Sequence, residues 1–313
     1  MKRRRNTERK EDKKRKIEID LDDEEFMMSV LYTEDATLLK DLIAAHEGKD
    51  ERDFFLSSVA SFPHLKKNIV KVLLDAGIDE RNKNTMFHVA AQERHIDVLE
   101  MLIERGNFDV NQRDSEGATA MHCVFYEPDE HFSVDRNDHI EVVKFLMNSG
   151  AKVNCADKPD EWTALHYAAC KGHSEVAAAL IEFGKANVQA VSAYDRTPLH
   201  IAAEEGNIEV AKLLLENNAN VNAEGMGKLT AFHLACMQGN FDMAMLLVNH
   251  GADVNLKNEE KSSALHMACR GENIELVRFL LEQKIDVNAL DSSNRSSLCI
   301  AKDHGADEAA LKI

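Results

Sequence analysis

The stretch TALHYAACKGH, Thr163–His173, places His166, Cys170 and His173 within eight residues, with Thr163 just ahead. Those residue types suit a metal site, a thiol–histidine catalytic pair or a purely structural element, and the stretch alone does not separate them. The rest of the chain does. His88, His122, His166, His200, His233 and His266 lie 34, 44, 34, 33 and 33 residues apart, and a near-constant period of this size is what stacked repeat units leave in a sequence. Around each histidine the same string recurs, as TMFHVAAQ, TAMHCVFY, TALHYAAC, TPLHIAAE, TAFHLACM and SALHMACR. The segment after each string reads as a second apolar helix, for example IEVAKLLLENNANVNA after Asn207 and FDMAMLLVNHGADVNL after Asn240. Each unit is therefore predicted to be two short helices and a turn.

These strings resemble the ankyrin repeat family, whose unit is a β-turn plus two helices carrying T-P-L-H-x-A over about 33 residues. The resemblance runs from about Asp22 to the end of the chain, with the best units between Lys83 and Asp291. It implies an all-α ankyrin-repeat solenoid, helix-turn-helix units joined by β-turn or hairpin loops, in a right-handed curved stack of roughly eight helix pairs. It also implies that the Thr caps the first helix and that the His bonds to the Thr hydroxyl and nearby backbone, worth roughly 0.5–1.5 kcal/mol.

Elementary packing points the same way, because two short helices cannot bury both apolar faces without a neighbour. Ala168, Ala169, Ala202, Ala203, Ala235 and Ala268 follow their histidines and let helices approach, while Leu213, Leu214 and Leu215, or Val142, Val143, Phe145 and Leu146, supply bulk at helical spacing. His166 is then a repeat histidine, His173 the His of a Gly172-His173 pair between the helices, and Cys170, Cys236 and Cys269 occupy or adjoin small-residue positions. Regular stacking is expected to spread the repeat histidines along a ladder, so the expectation is no metal, no cofactor and no catalytic constellation.

Composition sets the surroundings. The 313 residues are 44% hydrophobic, enough for a large core, and the six cysteines form no C-x-x-C pair, which fits a reducing compartment better than a disulfide framework. A basic start followed by acids lacks an apolar signal region, and no run approaches a membrane span, so a secreted or membrane protein is not expected. Residues 1–16 carry ten Lys or Arg against three acids, a net of +7, and subtracting this from the chain's −17 leaves −24 for residues 17–313. So acidic a body repels phosphate backbones and favours basic partner segments, making nucleic acid an unexpected ligand for the repeats.

The chain parses into a basic and acidic arm at 1–21 and a repeat domain at 22–313. Within the domain come an N-terminal capping unit at 22–50, with helices expected over Phe26–Leu31 and Leu38–Ala45, a degenerate unit at 51–81 and repeats over 82–290. A truncated terminal unit, 291–313, has Cys299 in place of the histidine. EPDEHFSVDRN, Glu127–Asn137, accounts for the one long interval and maps to a surface loop, with Phe132 and Pro128 available for contacts.

The family likeness implies protein binding through a concave face of turn tips and first helices. The variable position before each Thr or Ser is Asn84, Ala118, Trp162, Arg196, Leu229, Ser262 and Arg295. With the residues closing the first helices, this nominates Trp162, Lys171, Tyr194, Arg196, Glu204, Glu205, Leu229 and Met237 as the partner site, the aromatic and Arg members being of hot-spot type. In the arm, Lys2-Arg3, a ten-residue spacer and Lys14-Arg15-Lys16 match a two-part nuclear import signal that an import receptor would read, and Lys13-Lys14-Arg15-Lys16 also fits the one-part form. Ile17, Ile19 and Leu21 alternate with acids in the manner of a SUMO-interacting segment. Three non-enzymatic readings result. One is a nuclear adaptor or regulator, shuttling with the cytoplasm, whose partner is a basic segment or a folded nuclear factor. The others are a cytoplasmic inhibitor or scaffold masking a client's basic segment, and a ubiquitin-ligase substrate adaptor.

Overall fold

The computed structural model of the protein describes residues 36–45, 56, 59, 60, 66–106, 108–126, 137–270 and 273–303. The import residues, the segment Ile17–Leu21, the first expected capping helix, residues 127–136 of the insertion and residues 304–313 lie outside these. The chain divides into two compact units, residues 1–86 and 87–313. The described residues hold 15 α-helices and one short 3-10 turn, and no strand beyond isolated bridges.

In the first unit, α1 (Ala36–Ala45) packs on α2 (Lys67–Asp75). Both ranges follow apolar spacing: Leu39, Leu42 and Ile43 are buried on one, Ile69, Val70, Val72 and Leu73 on the other. After α2 the expected pattern fails once. The chain enters α3 (Glu80–Gln92) without a hairpin, because Asp79 accepts the Asn82 N–H at 2.8 Å and starts the helix there. Thr85 thus sits inside the helix, its hydroxyl donating to the Arg81 carbonyl, and neither caps it nor leaves Asn84 at a turn tip. No Gly or Pro between Asp79 and Thr85 forces a turn.

The second unit continues with α4 (Ile96–Gly106) and then alternates first and second helices. The first helices are α5 (Ala120–Cys123), α7 (Ala164–Lys171), α9 (Pro198–Glu205), α11 (Ala231–Met237), α13 (Ala264–Arg270) and α15 (Ser297–Asp303), each packed on the next. The second helices are α6 (Asn137–Asn148), α8 (Ser174–Glu182), α10 (Ile208–Glu216), α12 (Phe241–Asn249) and α14 (Ile274–Glu282), also each against the next. A two-layer core results. All six alanines nominated above are fully buried, as are Val142, Val143, Leu146 and Leu214, whereas Leu213 and Phe145 are only half-buried.

Three sets of hydrogen bonds recur through the second unit. In the first, Thr163, Thr197 and Thr230 cap their helices and offer backbone N–H and hydroxyl to Nδ1 of the histidine three residues on, at 2.8–3.2 Å. The second lies between the helix pairs: Asn207 Nδ2 donates to the Ala169 and Cys170 carbonyls at 2.7 and 2.9 Å, and Asn273 Nδ2 to Gly239 O at 2.7 Å. Gly172 makes room for it. Its φ of +70° is one that L side chains rarely adopt, and a Cβ there would lie 2.7 Å from Asn207 Oδ1. The third runs through the loops, where Asn154 donates to Lys185 O and accepts from Asn187 N, and Asn222 does the same with Gly251 and Asp253.

Candidate functional site

Each turn tip is closed by its own variable residue. Asp157 N–H donates to Trp162 O at 2.9 Å, Ser192 to Arg196 O at 2.9 Å, and Gly225 to Leu229 O at 2.8 Å. The same carbonyls also receive the preceding unit: His166 Nε2 lies 3.0 Å from Arg196 O and His200 Nε2 3.0 Å from Leu229 O, with His88 on Ala118 O and His266 on Arg295 O. Two histidines take other carbonyls, His122 that of Cys155 and His233 that of Leu256. Successive tips are also joined directly, Ala193 N to Asp160 O at 2.8 Å and Met226 N to Tyr194 O at 3.2 Å. The links from repeat to repeat at the tips therefore run through the main chain of the tip residues, while Trp162 also packs its side chain on His166 and Tyr167 within its own repeat.

The nominated side chains lie on three successive repeats. Trp162, Tyr194 with Arg196, and Leu229 stand on the tips before α7, α9 and α11, while Lys171, Glu204 with Glu205, and Met237 lie at the far ends of those helices. Tyr194 is 50% exposed and its tip neighbour Met226 is 54% exposed. Trp162, Leu229 and Met237 are half-buried, and Lys171 and Glu205 are exposed. One pair is already engaged: Arg196 Nη1 meets Glu204 Oε2 at 2.6 Å. Glu204 thus has a cation of its own, and Glu205 is the exposed acid of the two.

A second group was not singled out in the sequence. Tyr167 on α7 meets Trp162 with ring centroids 5.1 Å apart and Tyr126 with centroids 5.7 Å apart, both at 68°. Phe125 stacks on Tyr167 from 5.8 Å. Beneath lies Asp157, buried, taking Trp162 N–H at 2.8 Å and the Tyr167 hydroxyl at 2.5 Å. Burial pushes the Tyr126 phenol up to about 12, and burial with the bond to Asp157 pushes Tyr167 higher still. Both stay protonated. The available sequence signal was Tyr167 itself, since the residue after the repeat histidine is Ile201, Leu234 or Met267 in the next three units.

Four of the repeat histidines sit where a proton is disfavoured. Burial lowers His122, His200 and His233 from the ordinary 6.5 and takes His166 to about 4. Three metal-capable donors do converge, on His88, Asp114 and Cys123, all within 4.8 Å of one another, so stacking does not keep every repeat histidine away from other donors. The trio falls at the register of His122, Asp157 and Tyr167 one unit on, where a phenol replaces the thiol. Asp114 Oδ1 already accepts the Glu116 and Ala118 N–H groups at 2.9 Å, and burial raises the Cys123 thiol. Those contacts tie the trio to the turn rather than to a tetrahedral structural site, which would need a fourth ligand.

Comparison with known proteins bears on the whole stack. Human transient receptor potential cation channel subfamily A member 1 is 28% identical over 166 residues, 49% of this chain and 14% of that protein. The nuclear factor NF-kappa-B p105 subunit of Gallus gallus is 30% identical over 162 residues, 50% of this chain and 16% of its own. Ankyrin repeat protein nuc-2 of Neurospora crassa is 28% identical over 165 residues, 50% and 14%. The chain thus spans 14–16% of the length of these relatives. No helix among the described residues is long and apolar enough to cross a membrane. The family model for ankyrin repeats (3 copies) matches residues 26–127, 131–225 and 224–291, and the chain belongs to the ankyrin repeat family.

Proposed function

We propose that the protein is a non-enzymatic nuclear adaptor or regulator that binds a protein partner across the tips and first helices from Trp162 to Met237. Ankyrin repeats form protein–protein interaction modules; the particular surface and compartment are our reading. The observation that carries it is the exposed pair Tyr194 and Met226 on successive tips, beside half-buried Trp162 and Leu229. Exposed apolar side chains such as Tyr194 and Met226, on tips that are joined through main-chain atoms, are better explained by a partner than by stability.

The test is a photo-crosslinking residue at position 194 in the full chain, compared with one at Phe183, 70% exposed after α8. A partner captured from 194 and lost in Trp162→Ala/Arg196→Ala, with helix content unchanged, supports the reading. Capture from 183 alone moves the site. For the compartment, residues 1–16 fused to a cytoplasmic reporter should carry it into the nucleus, and a reporter that stays behind leaves no support for import. The acidic charge of residues 17–313 favours a second reading, an inhibitor or scaffold that masks a client's basic segment in the cytoplasm; a static reporter together with a basic crosslinked peptide would favour it.

A further inference from the structure

We infer that the rings of Tyr126, Tyr167 and Trp162 form an anchor for an arginine side chain of a peptide partner. The inference rests on the binding reading above and specifies what the partner must present.

Three aromatic rings gather here at the edge of the stack, and none is fully buried. Tyr126 and Trp162 each meet Tyr167 at 68°, while Phe125 stacks on Tyr167 and His166 on Trp162, so the half-exposed rings of Tyr126 and Trp162 are the ones a guest would meet first. The negative face of an aromatic ring attracts a cation, Trp most strongly and Tyr next. Asp157 adds a charge below the rings, but its carboxylate is buried and already accepts from Trp162 N–H and the Tyr167 hydroxyl.

That detail selects the guest. A lysine ammonium is compact and strongly hydrated and is best satisfied by several oxygen acceptors, whereas the one carboxylate beside the rings, Asp157, is buried and has a hydrogen bond on each oxygen already. A guanidinium is planar, weakly hydrated and stacks on rings, so it gains from π faces without needing a free carboxylate. Exposed Glu161 on the same tip and exposed Glu205 at the end of the next first helix supply a field that draws a basic peptide in, consistent with the −24 carried by residues 17–313. The surface and the guest are complementary in charge.

Trp162 is the only tryptophan in the chain, so its indole N–H is a single reporter of this site in a ¹H–¹⁵N spectrum of the full protein. The probes are three blocked pentapeptides, Gly-Ser-X-Ser-Gly, with X arginine, lysine or citrulline, the last being a neutral near-isostere of arginine. The arginine peptide should shift the indole signal saturably, the lysine peptide should bind roughly threefold or more weakly, and the citrulline peptide should leave the signal in place. Tyr126→Leu should weaken the arginine peptide roughly three- to tenfold, while Tyr126→Phe, which keeps the ring, should restore it. The citrulline comparison uses the wild-type chain, so it stands even if Tyr126→Leu perturbs folding. Equal shifts with arginine and citrulline, equal affinity for lysine, or a silent indole would each overturn the inference. A silent indole with a partner still captured from position 194 removes the arginine anchor and keeps the binding surface; loss of both removes both.

Discussion

Acid should unlock the stack through its histidines, and His166 allows the size to be worked out. Its Nδ1 lone pair accepts the N–H and hydroxyl of Thr163, and its Nε2 lies 3.0 Å from the Arg196 carbonyl, so the ring serves as acceptor on one side and donor on the other. A proton on Nδ1 cancels the acceptor and puts a charge in a buried site. Burial accordingly lowers the folded pKa to about 4, against 6.5 for the ordinary group. Between those values the unfolded chain binds more protons than the folded one, so stability is fully present above about pH 6.5 and falls as pH drops towards 4. For His166 alone the slope approaches about 1.4 kcal/mol per pH unit, and the loss between pH 7 and pH 5 is roughly 2 kcal/mol. His122, His200 and His233 are lowered in the same direction and add to it. Asp291 is also lowered, by hydrogen bonds from Arg295, but from 3.8, so its loss lies below this window. The assay is urea unfolding followed by far-UV circular dichroism at pH 7, 6 and 5, with His166→Gln alongside. The variant should be less stable at pH 7 and lose less than wild type on going to pH 5. Equal losses in the two proteins, or a wild-type midpoint that does not move, would refute the assignment of a neutral, proton-excluding ring.

Asn222→Ala removes the bonds to Gly251 O and from Asp253 N and should cost roughly 1–2 kcal/mol in thermal or urea unfolding. Gly184→Ala places a Cβ within 2.8 Å of Val153 Cγ2, Leu180 O and Met147 Sδ; it should destabilise by about 1–3 kcal/mol, measured by urea midpoint. Arg196→Ala, by contrast, breaks only a partly exposed ion pair with Glu204 and should change the midpoint by less than about 1 kcal/mol.

The repeat fold was legible because every unit solves the same packing problem with the same residues. Thr, His, a small pair and a second apolar helix recur, and the recurrence survives where any one string is ambiguous. Thr85 shows the limit: the letters TMFH are present, yet Asp79 starts the helix earlier and the threonine loses its capping position. The site was legible as a set of positions and not as a set of contacts. Tyr194, Leu229 and Met237 stand where the period puts them, but the Arg196–Glu204 pair and the meeting of Tyr126, Asp157 and Tyr167 depend on side-chain reach between turn and helix. A period fixes which unit a residue belongs to; it does not say which rotamer brings a phenol over a carboxylate. A backbone partner for the histidine was part of the sequence reading, but that its second nitrogen reaches a carbonyl of the next repeat was not, since a carbonyl carries no signature of its own.

At a tip such as Arg196 or Leu229, the carbonyl serves the neighbouring histidine and the half-buried side chain takes no part in that link. Because every amino acid carries the same carbonyl, a substitution there can rewrite what the surface recognises while the architecture hardly registers it. Lineages with this arrangement can therefore explore new partners by single replacements without first acquiring a stabilising change elsewhere. The same tolerance makes Leu229 a natural place to begin a library aimed at retargeting the protein.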